Sequence, residues 1–329
     1  MTGRGRTVIA ACAGFLALVI AETTRAQPYP SRPISLIVPY PPGGPLDQVA
    51  RVMTEHMRGT LGQPFVVENV SGAGGSIGVG RVARAAPNGY TVGIGDVGTQ
   101  VLNGAVYPLT YDVMTDFEPV ALLVASPLLV LSRASLPTKT LTELVAWLKE
   151  NQGKVSQGFI GSGTLSHLCG LYLQQTIASK WTFVPYRGAA PAIQDLVGGQ
   201  VDVMCLAPSG SSLPLARSGK VRAYAIMSPT RLPSAPEIPT ADEAGVPGLH
   251  LSFWQAFWVP KGTPKDIVDK LNTAAVAALA DQQIRTKLTE LGQMIPDRKD
   301  QTPEALAALR RAEANKWWPI IKAAGIKPD

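Results

Sequence analysis

Ser35-Leu-Ile-Val-Pro-Tyr-Pro-Pro-Gly-Gly-Pro-Leu-Asp-Gln-Val-Ala-Arg51 is the stretch whose reading decides the fold. A short apolar run, Leu36 to Val38, is stopped by Pro39, Pro41, Pro42, Gly43 and Gly44, after which Leu46, Val49, Ala50, Met53 and Met57 recur at helical spacing. The pattern predicts strand, loop, helix. In an open α/β sheet that order brings backbone N–H groups to the positive end of a helix, a common binding geometry. Pro41, Pro42 and Pro45 carry no N–H, so the donors left at the turn belong to Gly43, Gly44, Leu46 and Asp47. Asp47 is itself drawn to the helix dipole and repels an anion placed there. The loop is therefore expected to hold a ligand through ordered water, or beside a neutral or positive part of it, with Asp47 capping the loop. Taken alone, the stretch also fits a strand-to-helix turn with no ligand.

Upstream, Arg4 and Arg6 precede an uncharged stretch, Val8 to Ala21, and a polar segment ending Thr24-Arg25-Ala26. This reads as a secretory signal peptide over residues 1–26. The apolar run falls short of the roughly 20 residues a membrane span needs, and no later stretch reaches that length. The mature chain is expected to be soluble and exported to the periplasm. Its removal takes three basic residues and one acidic one, so the formal net charge of +6 falls to +4. The basic residues are scattered, without the Lys/Arg cluster and interleaved aromatics of a nucleic-acid site. Cys169 and Cys205, the cysteines of the mature chain, are too far apart for a metal-type spacing. They read as two buried thiols, with a disulfide the alternative in an oxidising compartment. His56, His167 and His250 form no local metal motif.

About 300 mature residues exceed one comfortable core and imply two domains. Strand-type runs at Phe65 to Glu68 and Thr91 to Gly95, with Ser76 to Ala86 helical between them, complete a βαβαβ half. Leu122 to Ser132 reads as a strand crossing between domains. A second α/β unit follows: a capping box at Thr140-Leu-Thr-Glu143 opens a helix to Lys149, Val155 to Ile160 is a strand, and Leu165 to Ile177 is a helix. Phe183 and Val184, Val201 to Leu206 and Val221 to Met227 are further strands, and Ala190 to Val197 is helical. Leu251 to Val259 is rich in aromatics, of the kind that pack as core in a crossing segment. Thr263-Pro264-Lys265-Asp266 then starts a helix with proline at its first position, and the remainder to Ala324 is helical. A chain that builds one α/β unit, then another, then ends in helices returns to the first domain to finish. The expected division is 27–125 with 255–329 for the first domain and 126–254 for the second, joined by two crossings.

Gly72-Ala-Gly-Gly-Ser-Ile-Gly78 lacks both the Gly-Lys-Ser/Thr ending of a phosphate loop and the spacing of a dinucleotide loop. Gly78-x-Gly80-x-x-Ala83 matches a looser dinucleotide pattern but falls inside a helix. These glycines read as turn and close-packing residues, and no cofactor or metal is expected. In the second unit, Gly161 to Thr164 and Arg187 to Ala189 each end a strand and precede a helix. They offer free N–H donors together with the side chains of Ser162, Thr164 and Arg187, and no acidic residue competes there. That face suits a carboxylate, with Arg187 able to pair bidentately; a surface or interdomain salt bridge is the alternative for Arg187. A secreted hydrolase built on Ser162 and His167 is the rival function, but the sequence has no Gly-x-Ser-x-Gly elbow and no third partner.

Tyr29-Pro-Ser-Arg-Pro33, Val38-Pro-Tyr-Pro-Pro-Gly-Gly44, Gly72-Ala-Gly-Gly75, Pro87-Asn-Gly-Tyr-Thr91, Val184-Pro-Tyr-Arg-Gly188 and Lys322-Ala-Ala-Gly-Ile326 occur in order along the chain. With Asp47, Ala50-Arg51, Tyr111-Asp112, Asp116-Phe117, Pro239-Thr240, Glu243-Ala-Gly245 and Trp317, they make the mature chain resemble the solute-binding receptors of tripartite tricarboxylate transporters, the Bug receptors. The resemblance implies an α/β, two-domain Venus flytrap of type II-like periplasmic binding protein fold. It implies a monomer that closes on a small carboxylate, a dicarboxylate, tricarboxylate, amino acid or aromatic acid, without catalysis, for uptake by a tripartite tricarboxylate-type membrane permease or for sensing. By position, the family's ligand loops fall on Tyr40, Pro41, Gly43 and Gly44 with Asp47, on Gly95 to Thr99, on Gly161, Ser162, Thr164 and His167, and on Arg187, Gly188 and Ala189. The chain departs from the family pattern at Val70-Ser71, where Arg-Pro is usual, and at Asn103-Gly104, where Asn-Pro is expected.

The N-terminal reading predicts a mature protein that begins within a few residues of Gln27. Intact mass of exported material checks it, and a species retaining Met1 in that fraction would contradict it.

Overall fold

In the computed structural model, the described residues are 29–160, 164–186, 188–208 and 212–326. The expected signal peptide, Gly161, Ser162 and Arg187 lie outside them. Strand-loop-helix alternation runs as the apolar periodicity dictates: β1 (Ile34–Val38), α1 (Pro45–Leu61), β2 (Phe65–Asn69), α2 (Ser76–Ala83) and β3 (Thr91–Asp96). β1 pairs in parallel with both β2 and β3. A π-helical turn, Gly98–Leu102, and a short α3 (Asn103–Val106) then lead to β4 (Phe117–Pro127). The second unit comprises β5 (Leu129–Arg133), α4 (Leu141–Glu150), β6 (Ser156–Ile160), α5 (Leu165–Ile177), β7 (Thr182–Tyr186), α6 (Ala189–Val197), β8 (Val203–Leu206), α7 (Ser212–Arg217) and β9 (Val221–Ile226). The chain returns through β10 (Ser252–Pro260) and closes with α8 (Lys265–Ala280), α9 (Gln282–Glu290) and α10 (Pro303–Ala324).

Two five-stranded sheets result, in the orders β2-β1-β3-β10-β4 and β7-β6-β8-β5-β9. In each, one strand runs antiparallel between its neighbours: β10 between β3 and β4, and β5 between β8 and β9. The chain changes sheet at Leu128 and again between Ile226 and Ser252. At the crossing three segments bond to one another: the Leu128 N–H donates to Leu251 O (3.0 Å), Met227 N–H to Leu128 O (2.8 Å) and Leu251 N–H to Met227 O (2.9 Å). The run Leu122 to Ser132, expected as one strand, is thus two, separated at Leu128, because its residues serve different sheets.

Periodicity accounts for the cores. Leu46, Val49, Ala50, Met53 and Met57 of α1 are buried against the first sheet with Phe257 and Val259 of β10. Alternation along β10 sends Trp254 and Trp258 to the other face, where they pack with Trp317 of α10. Both tryptophans are core residues, as an aromatic crossing segment suggests. The capping box at Thr140 and Glu143 forms with both reciprocal hydrogen bonds. Gly78 explains its own identity: a Cβ there would sit 2.5 Å from Val70 O, so α2 packs closer to the chain than any other residue permits. The helical tail is broken into α8, α9 and α10, and Pro264 stands at the cap of α8, one position before its first turn. α10 also reaches the second unit, where Lys316 Nζ donates to His250 O (3.0 Å) and Trp317 meets Tyr172 edge-on at 5.8 Å.

The reading of Cys169 and Cys205 as free thiols is corrected. They form a disulfide, S–S 2.00 Å, joining the middle of α5 to the end of β8. Helix and strand pack face to face, so residues 36 positions apart in sequence meet in the core. A bridge closing a loop of that size stabilises by about 3–4 kcal/mol through the unfolded chain. Replacing both cysteines by alanine is therefore expected to lower the melting temperature by roughly 6–16 °C, at about 2–4 °C per kcal/mol. Calorimetry measures this, and maleimide labelling of the denatured, unreduced chain should modify neither cysteine.

Candidate ligand-binding cleft

The loop after β1 is built around a buried carboxylate. Asp47 accepts hydrogen bonds from Gly43 N–H (2.9 Å), Arg51 Nε (2.9 Å) and Asn69 Nδ2 (3.0 Å), and Asn69 Nδ2 also reaches Tyr40 O (3.0 Å). Asp47 thus caps the loop, consuming the Gly43 donor. Gly43, at φ +82°, needs the freedom glycine has. Burial raises the Asp47 pKa, but the bonds from Arg51, Gly43 and Asn69 outweigh it and hold the carboxyl below its ordinary range.

The turn after β3 is organised by a second carboxylate, which sequence reasoning did not single out. Asp96 Oδ1 accepts from Thr99 N–H (2.7 Å) and Thr99 Oγ1 (3.0 Å), and Asp96 N–H donates back to Thr99 Oγ1 (2.9 Å). Tyr40 Oη lies 3.5 Å from Asp96 Oδ1, bringing the first two predicted loops together. Here burial dominates and raises the Asp96 pKa despite the bonds from Thr99. Burial, then the Asp96 charge, likewise keeps the Tyr40 phenol protonated. A Cβ on Gly95 would meet the Gln100 side chain at 2.7 Å, so the glycine permits tight packing of the turn.

On the second domain, Thr164 caps α5 and Gly188 caps α6, whose first residue is Ala189. The His167 ring stacks on Phe159 at 4.4 Å and meets Phe183 edge-on at 4.9 Å, an aromatic packing role. Among the described residues no group of three His, Cys, Asp or Glu side chains is placed to hold a metal.

Between the two sheets lies a cavity of about 530 Å³, lined from both domains. Of the predicted residues Thr164 lines it, and Pro45, next to Gly44, brings the first loop to its edge. Tyr40, Gly95, Thr99 and His167 do not. Leu165 and Ser166, inside the expected loop from Gly161 to His167, line it too, but much of the wall was missed by sequence reasoning: Ser126 and Leu128 at the crossing, Phe253 of β10, Cys205 to Pro208 at and after the end of β8, and Leu291 and Gln293 after α9. Gly292, at φ +74°, is a readable helix stop. That it abuts Pro208 O, 3.0 Å from where its Cβ would be, is visible only in three dimensions.

Two α/β units, joined through paired crossing segments and enclosing a cleft lined from both, define the Venus-flytrap fold of periplasmic binding proteins. Residues 49–326 match the family described as tripartite tricarboxylate transporter family receptor, and the chain belongs to it. It is similar to MatC from Rhodopseudomonas palustris, solved with bound malate: 40% identity over 89% of this chain and 100% of that one, TM-score 0.74. The periplasmic binding protein BugD is 39% identical, over 92% and 100% of the two chains, with a TM-score of 0.73. A second R. palustris protein, solved with adipate, is 33% identical over 92% and 100%, TM-score 0.75.

The two loop carboxylates predict opposite pH signatures. Asp47, depressed in the folded state, contributes stability that is fully present above about pH 3.9 and lost as pH falls below it. Asp47→Asn should cost about 1.5 kcal/mol at pH 7, the lower end for a charged hydrogen bond because Arg51 is half exposed. For Asp96, raised in the folded state, ionisation opposes folding above that pH, so Asp96→Asn should be at least as stable as wild type at pH 7. The Asp96 difference should vanish as pH falls through 4, and the Asp47 difference only further below, where its depressed carboxyl takes up a proton, which chemical denaturation at stepped pH would reveal.

Proposed function

We propose that the mature chain is a monomeric periplasmic receptor that captures a small carboxylate between its domains and delivers it to a membrane permease of the tripartite tricarboxylate type. The observation carrying this reading is the cavity walled by both domains, in a chain belonging to that receptor family. Malate and adipate in two related structures support the ligand class. The domains divide near residues 126 and 254, and closure brings Tyr40 to Gly44 and Gly95 to Thr99 toward Gly161 to His167 and Arg187 to Ala189. The carboxylate is held on the second-domain side, by Ser162, Thr164 and Arg187 with backbone donors, because Asp47 and Asp96 make the first-domain loops unfavourable to an anion. No cofactor enters this function, and the chain is not an enzyme. The hydrolase reading has no supporting observation: the His167 ring is packed between two phenylalanines.

The test is thermal stabilisation of the mature chain, freed of carried-over ligand by unfolding and refolding without reductant. A ligand at 100 times its dissociation constant stabilises by about 2.7 kcal/mol, a rise of several degrees. The hit should contain a carboxylate and be recovered unchanged after long incubation. Ser162→Ala and Arg187→Ala should each weaken its binding about tenfold or more. Stabilisation by sugars alone, or consumption of the hit, would overturn the proposal.

A further inference from the structure

The chemistry of the cavity wall narrows the ligand class, given the receptor reading above. Leu128, Ile160, Leu165, Leu206, Phe253 and Leu291 supply most of the surface, from both domains. The wall also holds polar side chains, and those of Ser126, Gln293, Ser166 and Gln48 are turned to one another or to backbone. Ser126 Oγ donates to Gln293 Oε1 (2.8 Å), and Gln293 Nε2 to Leu291 O (3.3 Å). Ser166 Oγ donates to Cys205 O (2.9 Å), and Gln48 Nε2 to Gly43 O (3.0 Å). Cys205, in the disulfide, adds sulfur rather than a polar group. Among the described residues the wall contains no Lys, Arg or His, and its one charge is the carboxylate of the exposed Glu290 at the rim.

Among the described residues this wall offers a second carboxylate no cation. An anion moved into it would exchange water for aliphatic side chains, serines already hydrogen-bonded and a like charge. An apolar group gains from the same transfer. The volume, about 530 Å³, lies within the range of small-molecule sites, about 300–1,000 Å³, and exceeds what a four-carbon diacid fills. We infer that the ligand is a monocarboxylate with a bulky apolar body, aromatic or branched aliphatic, and that this body occupies the cavity.

Titration calorimetry on the ligand-free mature chain distinguishes the possibilities. The probes are benzoate, phenylacetate, 3-phenylpropanoate and 4-methylpentanoate, against malate, adipate and citrate, with phenylacetamide as the uncharged control. The apolar-bodied acids should bind at least tenfold tighter than malate, adipate or citrate. Affinity should climb about fourfold per added methylene from benzoate to 3-phenylpropanoate, and phenylacetamide should bind far more weakly than phenylacetate. Phe253→Gln, on a half-buried wall residue, should weaken the apolar-bodied acids tenfold or more while retaining a cooperative melt. The comparison among ligands needs only the wild-type chain and stands if that variant misfolds. Tighter or equal binding of malate, adipate or citrate would overturn this inference and leave the receptor reading intact. Failure of every carboxylate, with stabilisation by a sugar, would overturn both.

Discussion

Antiparallel pairing of β10 along the whole of β4 is the constraint on which the architecture depends. Nine residues of β10, Ser252 to Pro260, lie against Pro127 to Phe117, and the far side of the same strand bonds to β3. A strand placed there cannot be supplied before the second unit is complete, because its sequence comes after that unit. The first sheet therefore closes only when the chain has left it, built the second and come back. The mirror arrangement of β5 between β8 and β9 makes the second sheet equally dependent on a strand that arrives directly from the first. The cleft follows from this: both crossings pass through one line of backbone hydrogen bonds at Leu128, Met227 and Leu251, and the space beside that line belongs to neither domain.

Electrostatics then divides labour across the cleft. Asp47 and Asp96 each organise one first-domain loop, and both use carboxylate oxygens to gather the backbone N–H groups that an anion would otherwise seek. The same interaction that fixes these loops makes them poor anion sites. They differ in state: three donors keep Asp47 charged, whereas burial disfavours charge on Asp96 despite the hydrogen bonds from Thr99 and Tyr40. The described part of the facing second-domain turns has no acidic residue at the helix caps Thr164 and Gly188.

Local rules made much of this legible in the sequence. The 3.6-residue apolar spacing of α1, the capping box of α4 and the proline-glycine stop after β1 located those elements closely, because short-range periodicity and backbone stereochemistry determine them. The close-packing glycines of α2 were legible for the same reason. Long-range facts were not. That Cys169 faces Cys205 depends on how α5 seats on β8, and sequence spacing carries no trace of that register. Asp96 looked like an ordinary strand end until the π-helical turn folded Thr99 back onto it. The split at Leu128 was hidden because an apolar run reads alike whether it stays in one sheet or serves two.

The cavity wall shows why ligand identity is harder to read than ligand class. A loop that presents backbone donors must be short, glycine-rich and followed by a helix, so its sequence carries a signature. A wall that contacts an apolar body needs only side chains of suitable volume. Here those come from the crossing, the ends of two strands, the start of α5 and the stop of α9, each under other demands of its own. Leu128 must span the sheets, Leu206 must fill the second-domain core and Cys205 must meet Cys169. Selectivity thus falls to residues such as Phe253 and Ile160, which are only partly committed to packing. At these positions a change of side chain alters the shape offered to a ligand at small cost to the fold, since surface removed from the core is modest. A receptor of this architecture can therefore keep its loops and its crossing and change its ligand by repopulating a few half-buried positions beside them.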